Sequence, residues 1–141
     1  MSGIKVLLVD DEVSFATSMQ KLLSRRGFDV KVASDGLTAL RFIAEEQFDV
    51  VVLDIKMPGM DGIQVLKEIR RFSADIHVIL LTGHYFSNEE EANLKQGAYA
   101  YLLKPYPVMD LVNLIKEAAS DKGTDLNSSA KVNNQGTNCD N

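Results

Sequence analysis

The sequence of 141 residues holds a single cysteine, Cys139. One cysteine excludes an internal disulfide and a zinc cluster built on cysteines. Long hydrophobic runs are missing too. The longest apolar stretches lie near residues 50–53 and 78–81, far short of the roughly 20 residues that span a bilayer. The opening Met-Ser-Gly-Ile-Lys carries neither a basic n-region nor a long apolar h-region. A cytoplasmic location without membrane contact is therefore expected. Positive charge is in the minority: 15 Lys and Arg face 20 Asp and Glu, for a formal net charge of −5. Binding to a nucleic-acid backbone needs clustered cations, so direct nucleic-acid binding is not expected. No glycine-rich phosphate loop follows the first apolar run, which removes the usual nucleotide-binding signature.

What remains is ordinary globular material. Hydrophobic residues make up 45% of the chain, enough to exclude disorder throughout. The length predicts one domain. Five β-rich runs recur, at Lys5–Val9, Asp29–Ala33, Val50–Asp54, His77–Thr82 and Ala100–Leu103. The first, third and fourth are nearly continuous Val, Ile and Leu, which predicts strands buried on both faces. The run Asp29–Ala33 alternates, which predicts a place nearer an edge.

Helical spacing fills the gaps. Phe15, Met19, Leu22 and Leu23 share one face, and Gly27 stops that helix. Leu37, Leu40 and Ile43 mark a second helix after Asp35-Gly36; Val65, Leu66, Ile69 and Phe72 mark a third. Ser87-Asn88-Glu89-Glu90 reads as a capping box opening a short fourth helix that ends at Gly97. Val108, Leu111, Val112, Ile115 and Ala119 mark a fifth, with Pro107 at its start. Five β-α repeats predict an α/β fold, a doubly wound five-stranded parallel sheet with helices on both faces. The folded domain is expected to span residues 1–119; the polar stretch 120–141 is expected to be a disordered tail.

In such a sheet the loops at the carboxyl ends of the strands build the site. The first strand delivers Asp10, Asp11 and Glu12 there; the third delivers Asp54, the fourth Thr82, the fifth Lys104. Clustered carboxylates repel: two like charges at about 4 Å cost roughly 4 kcal/mol at an effective dielectric near 20. A hard divalent cation, Mg²⁺ or Mn²⁺, relieves that repulsion. Cation, ammonium and hydroxyl together suit the oxygens of a phosphoryl group. Asp54 is the candidate nucleophile, since carboxylates do accept phosphoryl groups. Each residue has a plainer reading when taken alone. Asp10-Asp11-Glu12 could cap a helix, Asp54 could be a turn residue, Thr82 could bond to main chain, and Tyr101 could be a core aromatic.

Taken together, four segments carry a resemblance: Val-Leu-Leu-Val-Asp-Asp-Glu at 6–12, Val-Val-Leu-Asp-Ile-Lys-Met-Pro-Gly-Met-Asp-Gly at 51–62, Leu-Leu-Thr-Gly at 80–83, and Gly-Ala-Tyr-Ala-Tyr-Leu-Leu-Lys-Pro-Tyr at 97–106. Over residues 4–119 the chain resembles the receiver domain of two-component response regulators. The resemblance implies a CheY-like, flavodoxin-like sheet in the order 2-1-3-4-5. It implies that Asp54 accepts phosphate from a histidine kinase or a histidine phosphotransfer protein. It implies Mg²⁺ held by Asp11, Asp54 and the main-chain carbonyl of Lys56, with Asp10 acting through water. Lys104 would pair with Asp54 or the phosphoryl group, across a cis Lys104–Pro105 bond. Thr82 and Tyr101 would switch an output face made of the fourth helix, fifth strand and fifth helix.

The function implied is that of a single-domain response regulator, a monomer or phosphorylation-induced dimer with a protein target, which turns over no metabolic substrate. A piece of a longer regulator is the alternative. Tyr106 stands where phenylalanine is usual in the family, and Pro107 follows; that departure bears on the fifth helix, not on the chemistry. His84, with Lys56, is expected to shape water access at the mouth of the site, and His77 to be structural. Three rivals fit less well. Haloacid-dehalogenase-like phosphatases show Asp-x-Asp after the first strand, which Asp10-Asp11 is not. A flavin binder lacks its phosphate loop here. A scaffold that is never phosphorylated would not need the full residue set.

Overall fold

The structure, a computed structural model, describes residues 3–55, 62–73, 75–83 and 97–120. Five strands form one parallel sheet: β1 (Lys5–Val9), β2 (Asp29–Ala33), β3 (Val50–Asp54), β4 (His77–Thr82) and β5 (Ala100–Leu103). The order is β2-β1-β3-β4-β5, as the resemblance implied. The alternating strand β2 is an edge, and the continuous apolar strand β3 is central, with all five of its residues buried. Among the described residues there are four helices: α1 (Val13–Arg25), α2 (Gly36–Glu45), α3 (Gly62–Phe72) and α4 (Val108–Ser120). Helix α4 is the expected fifth helix. The capping box at residues 87–90, the tail from residue 121, Lys56 and His84 lie outside the described residues.

Strand alternation sorts the core into two clusters. Leu7, Val9, Val51, Leu53, Val78 and Leu80 face α2 and α3. Val6, Leu8, Val50, Val52, Ile79 and Leu81 face α1 and α4. Each fully buried leucine contributes roughly 1.5–3 kcal/mol through area removed from water. The helical stripes hold with three corrections. Leu37 is 69% exposed and Phe72 is 56% exposed, while Ala39 and Ile43 bury α2, and Val65, Leu66 and Ile69 bury α3. In α4 the position buried in the last turn is Ala118, not Ala119, which packs only partly. Each mismatch sits at one end of a stripe, where the 3.6-residue repeat has drifted off the sheet.

Local chemistry ends and starts these helices. Gly27, with a φ of 96°, takes the left-handed conformation that turns the chain after α1. Asp35 caps α2 by accepting a hydrogen bond from Thr38 N at 2.7 Å. That backbone donor holds the Asp35 carboxyl below its ordinary value. Asp35→Ala is expected to cost about 1 kcal/mol at neutral pH. A depressed carboxyl contributes in full above the ordinary carboxylate value, and its contribution is lost as pH falls through the lower folded value. Urea unfolding should therefore show the gap between parent and variant closing only in strong acid. A gap independent of pH would remove the charged cap.

Candidate functional site

Parallel register brings the strand ends to one edge. Val9 pairs with Leu53, Asp54 with Leu81, and Thr82 with Leu103. The chain therefore delivers Asp10 and Asp11 beside Asp54, and Lys104 beside Thr82. Main-chain bonds fix the exits: Asp10 N donates to Ala33 O at 3.0 Å, Ile55 N to Leu81 O at 3.0 Å, and Lys104 N to Thr82 O at 2.7 Å. The Lys104–Pro105 bond is cis.

The side chains converge as the strand-end rule predicted. Asp10, Asp11 and Asp54 each offer an oxygen, and these lie within 4.8 Å of one another. Lys104 Nζ donates to Asp54 Oδ2 at 3.2 Å. Asp10, Asp54 and Thr82 are buried, at 0%, 4% and 1% exposure. Asp11 and Lys104 are half-buried. Tyr101 is half-buried and packs against the cluster beneath α2 and α3. His77 packs its ring on Tyr99, with centroids 5.1 Å apart, at the opposite end of β4 from Thr82.

The acidic residues do not serve as the helix cap that their sequence position allows. Glu12 is the N-cap of α1 but its side chain makes no cap bond. Asp10 Oδ1 instead accepts from Glu12 N at 2.9 Å. Burial pushes the Asp10 carboxyl above its ordinary value; the Glu12 N–H opposes that, and the charge of Asp54 adds to it. Asp10 Oδ2 is buried with no hydrogen-bond partner among the described residues. Three carboxylates whose oxygens lie within 4.8 Å of one another fit a hard divalent cation with oxygen ligands. The donor set therefore suits Mg²⁺ or Mn²⁺.

Sequence reasoning missed three features here. Phe15 of α1 lies 6.0 Å, ring centroid to Nζ, from Lys104; helical spacing marks it only as apolar. A Cβ on Gly62 would stand 2.4 Å from Ile55 Cα and 2.9 Å from Asp54 O, a close approach of two backbones that no local pattern signals. Tyr106 was placed outside the chemistry, yet its hydroxyl is buried and feels the charges of Asp10 and Asp54.

Comparison with known proteins agrees with this geometry. The family described as "Response regulator receiver domain" matches residues 6–116. The transcriptional regulatory protein ZraR of Klebsiella oxytoca is 41% identical over 120 residues, covering 84% of this chain and 27% of that protein. The chain spans from about a quarter to just over half the length of the curated relatives it matches. Among solved structures, a CheY-like receiver domain protein from Methanospirillum hungatei superposes with a TM-score of 0.78 at 32% identity, covering 85% of this chain and 96% of the other. The response regulator TrrA of Thermotoga maritima, solved in complex with Mg²⁺-BeF, gives a TM-score of 0.72 at 30% identity, covering 82% and 98%. Sequence match and sheet order coincide over most of the chain, and by both this protein belongs to the response regulator receiver domain family.

Proposed function

We propose that this chain is a phosphorylation-dependent switch in a two-component or phosphorelay system, with Asp54 as phosphoryl acceptor. The observation that carries the reading is the convergence on Asp54 of two further carboxylates and the Lys104 ammonium. The donor is a phosphohistidine on a histidine kinase or phosphotransfer protein. An Asp54 carboxylate oxygen attacks phosphorus, the P–N bond breaks, and the imidazole leaves with the electron pair and takes up a proton. The product is an acyl phosphate on Asp54.

Asp11, Asp54 and the Lys56 carbonyl would hold Mg²⁺, with Asp10 acting through water. The chemistry that ion supplies is neutralisation of charge on the phosphoryl oxygens. Lys104 balances charge from the other side and orients Asp54. The Thr82 hydroxyl, at the end of β4, would move toward a phosphoryl oxygen after transfer and donate to it. Tyr101, two residues before β5 ends, follows that movement and carries it to a protein-binding surface that includes β5 and α4; the expected fourth helix, the rest of that surface, lies outside the described residues. Relatives named as transcriptional regulators are longer than this chain, which supports output through an attached module as the second reading beside output through a separate protein.

Incubation with phosphoramidate and Mg²⁺ tests the reading. The chain should gain one phosphoryl group that hydroxylamine removes, and chelation of Mg²⁺ should abolish the gain. A hydroxylamine-resistant adduct would contradict an acyl phosphate. Sustained hydrolysis of a phosphomonoester would favour a phosphatase instead.

A further inference from the structure

Asp10 Oδ2 and Tyr106 Oη are both sealed from solvent, and neither has a hydrogen-bond partner among the described residues. The two are chemically complementary. An ionised carboxylate only accepts hydrogen bonds, while a phenol carries one proton to donate. Asp10 Oδ1 is already served by Glu12 N, so Oδ2 is the atom left in need of a donor. Tyr106 packs its ring into the cluster between the sheet and helices α1 and α4. Burial, then the charges of Asp10 and Asp54, push its phenol up to about 12. A phenol keeps its proton at neutral pH even at its ordinary value near 10.

Leaving a buried donor or acceptor unserved is destabilising. Two such atoms in one electrostatic neighbourhood would double that cost. A single buried water with a few polar partners removes it. We propose that Tyr106 is a positioning residue for the acidic site, its hydroxyl holding the Asp10 carboxylate through a shared water. The inference deepens the proposed function, because it assigns a support to a carboxylate of that site, but the hydrogen bond itself does not depend on phosphoryl transfer. A phenylalanine at 106 would fill the same space and supply no donor.

A double-mutant cycle on the full chain tests this, using Tyr106→Phe, Asp10→Ala and both together, unfolded by urea in the presence of chelator. Tyr106→Phe is expected to lower the urea midpoint by about 0.5 M. That fall should vanish in the Asp10→Ala background. The sign is decisive, since replacing a truly unserved hydroxyl by a hydrogen would raise the midpoint. A rise, no change, or an equal fall in both backgrounds would overturn the proposal. The Tyr106 absorption band, obtained as parent minus Tyr106→Phe, should move to shorter wavelength when Asp10 is replaced; an unmoved band would overturn it as well. Phosphoryl uptake measured on the parent keeps the two readings apart. Uptake without coupling sinks only the role of Tyr106, and coupling without uptake sinks only the proposed function.

Discussion

Lys104→Ala is expected to slow phosphoryl uptake from phosphoramidate by about 10²–10³-fold, the usual cost of removing one donor aimed at developing negative charge. Lys104 Nζ stands 3.2 Å from Asp54 Oδ2, and Asp54 lies in a cluster with Asp10 and Asp11. The incoming phosphoryl group adds further negative charge to that cluster. Among the described residues, Lys104 is the cation that offsets it. The same substitution should lower stability by only about 1–2 kcal/mol. The ammonium is a third exposed, so water takes over part of its role. Lys104→Arg should recover a fraction of the rate, because charge is restored while the compact point donor is replaced by a planar fork. Stopped-time mass measurement of uptake at saturating Mg²⁺ separates the two effects. A rate within threefold of the parent would remove Lys104 from the chemistry.

Gly62→Ala should destabilise the protein by about 2–4 kcal/mol, although helix propensity alone argues the other way. In an exposed helix, alanine gains up to about 1 kcal/mol over glycine. Here the added Cβ would stand 2.4 Å from Ile55 Cα and 2.9 Å from Asp54 O. Both are backbone atoms next to the sheet, so neither can move aside cheaply. Gly62 N also donates to Ile55 O at 2.8 Å, which closes the connection between β3 and α3 directly behind Asp54. Opening that contact displaces Asp54, the proposed acceptor, so uptake should fall together with stability. Urea unfolding at neutral pH reads the first effect. A midpoint equal to or above that of the parent would show that the two backbones are not tightly apposed.

Much of this protein could be read from its residues, and the reasons are specific. Strands covered on both faces must be apolar throughout, so β1, β3 and β4 stand out as uninterrupted Val, Ile and Leu, and their bounds in the sequence are their bounds in the fold. Parallel pairing then places every strand end at one edge, which is why Asp10, Asp11, Asp54, Thr82 and Lys104 could be grouped before any distance was known. Leu37 and Phe72 were misjudged for a physical reason too. Periodicity marks which helical positions are apolar, but not how far the neighbouring layer extends to cover them. The Gly62 contact and the position of the Tyr106 hydroxyl are products of tertiary approach. Gly62 meets Ile55 and Asp54, seven and eight positions earlier, while Tyr106 packs with residues of β1 and α1 from the other end of the chain; only the folded sheet brings them there. Lys56 and the expected fourth helix fall outside the described residues, so of the proposed switch surface only β5, α4 and Tyr101 are described.

The central claim is that the carboxylate at position 54, and no other group, takes the phosphoryl. Intact-mass measurement of the parent and of Asp54→Ala, each exposed to phosphoramidate with Mg²⁺, tests it most directly. The parent should gain the mass of one phosphoryl group while the variant, folded by circular dichroism, gains none. An equal gain on the variant, or a folded parent that stays unmodified, would contradict the account.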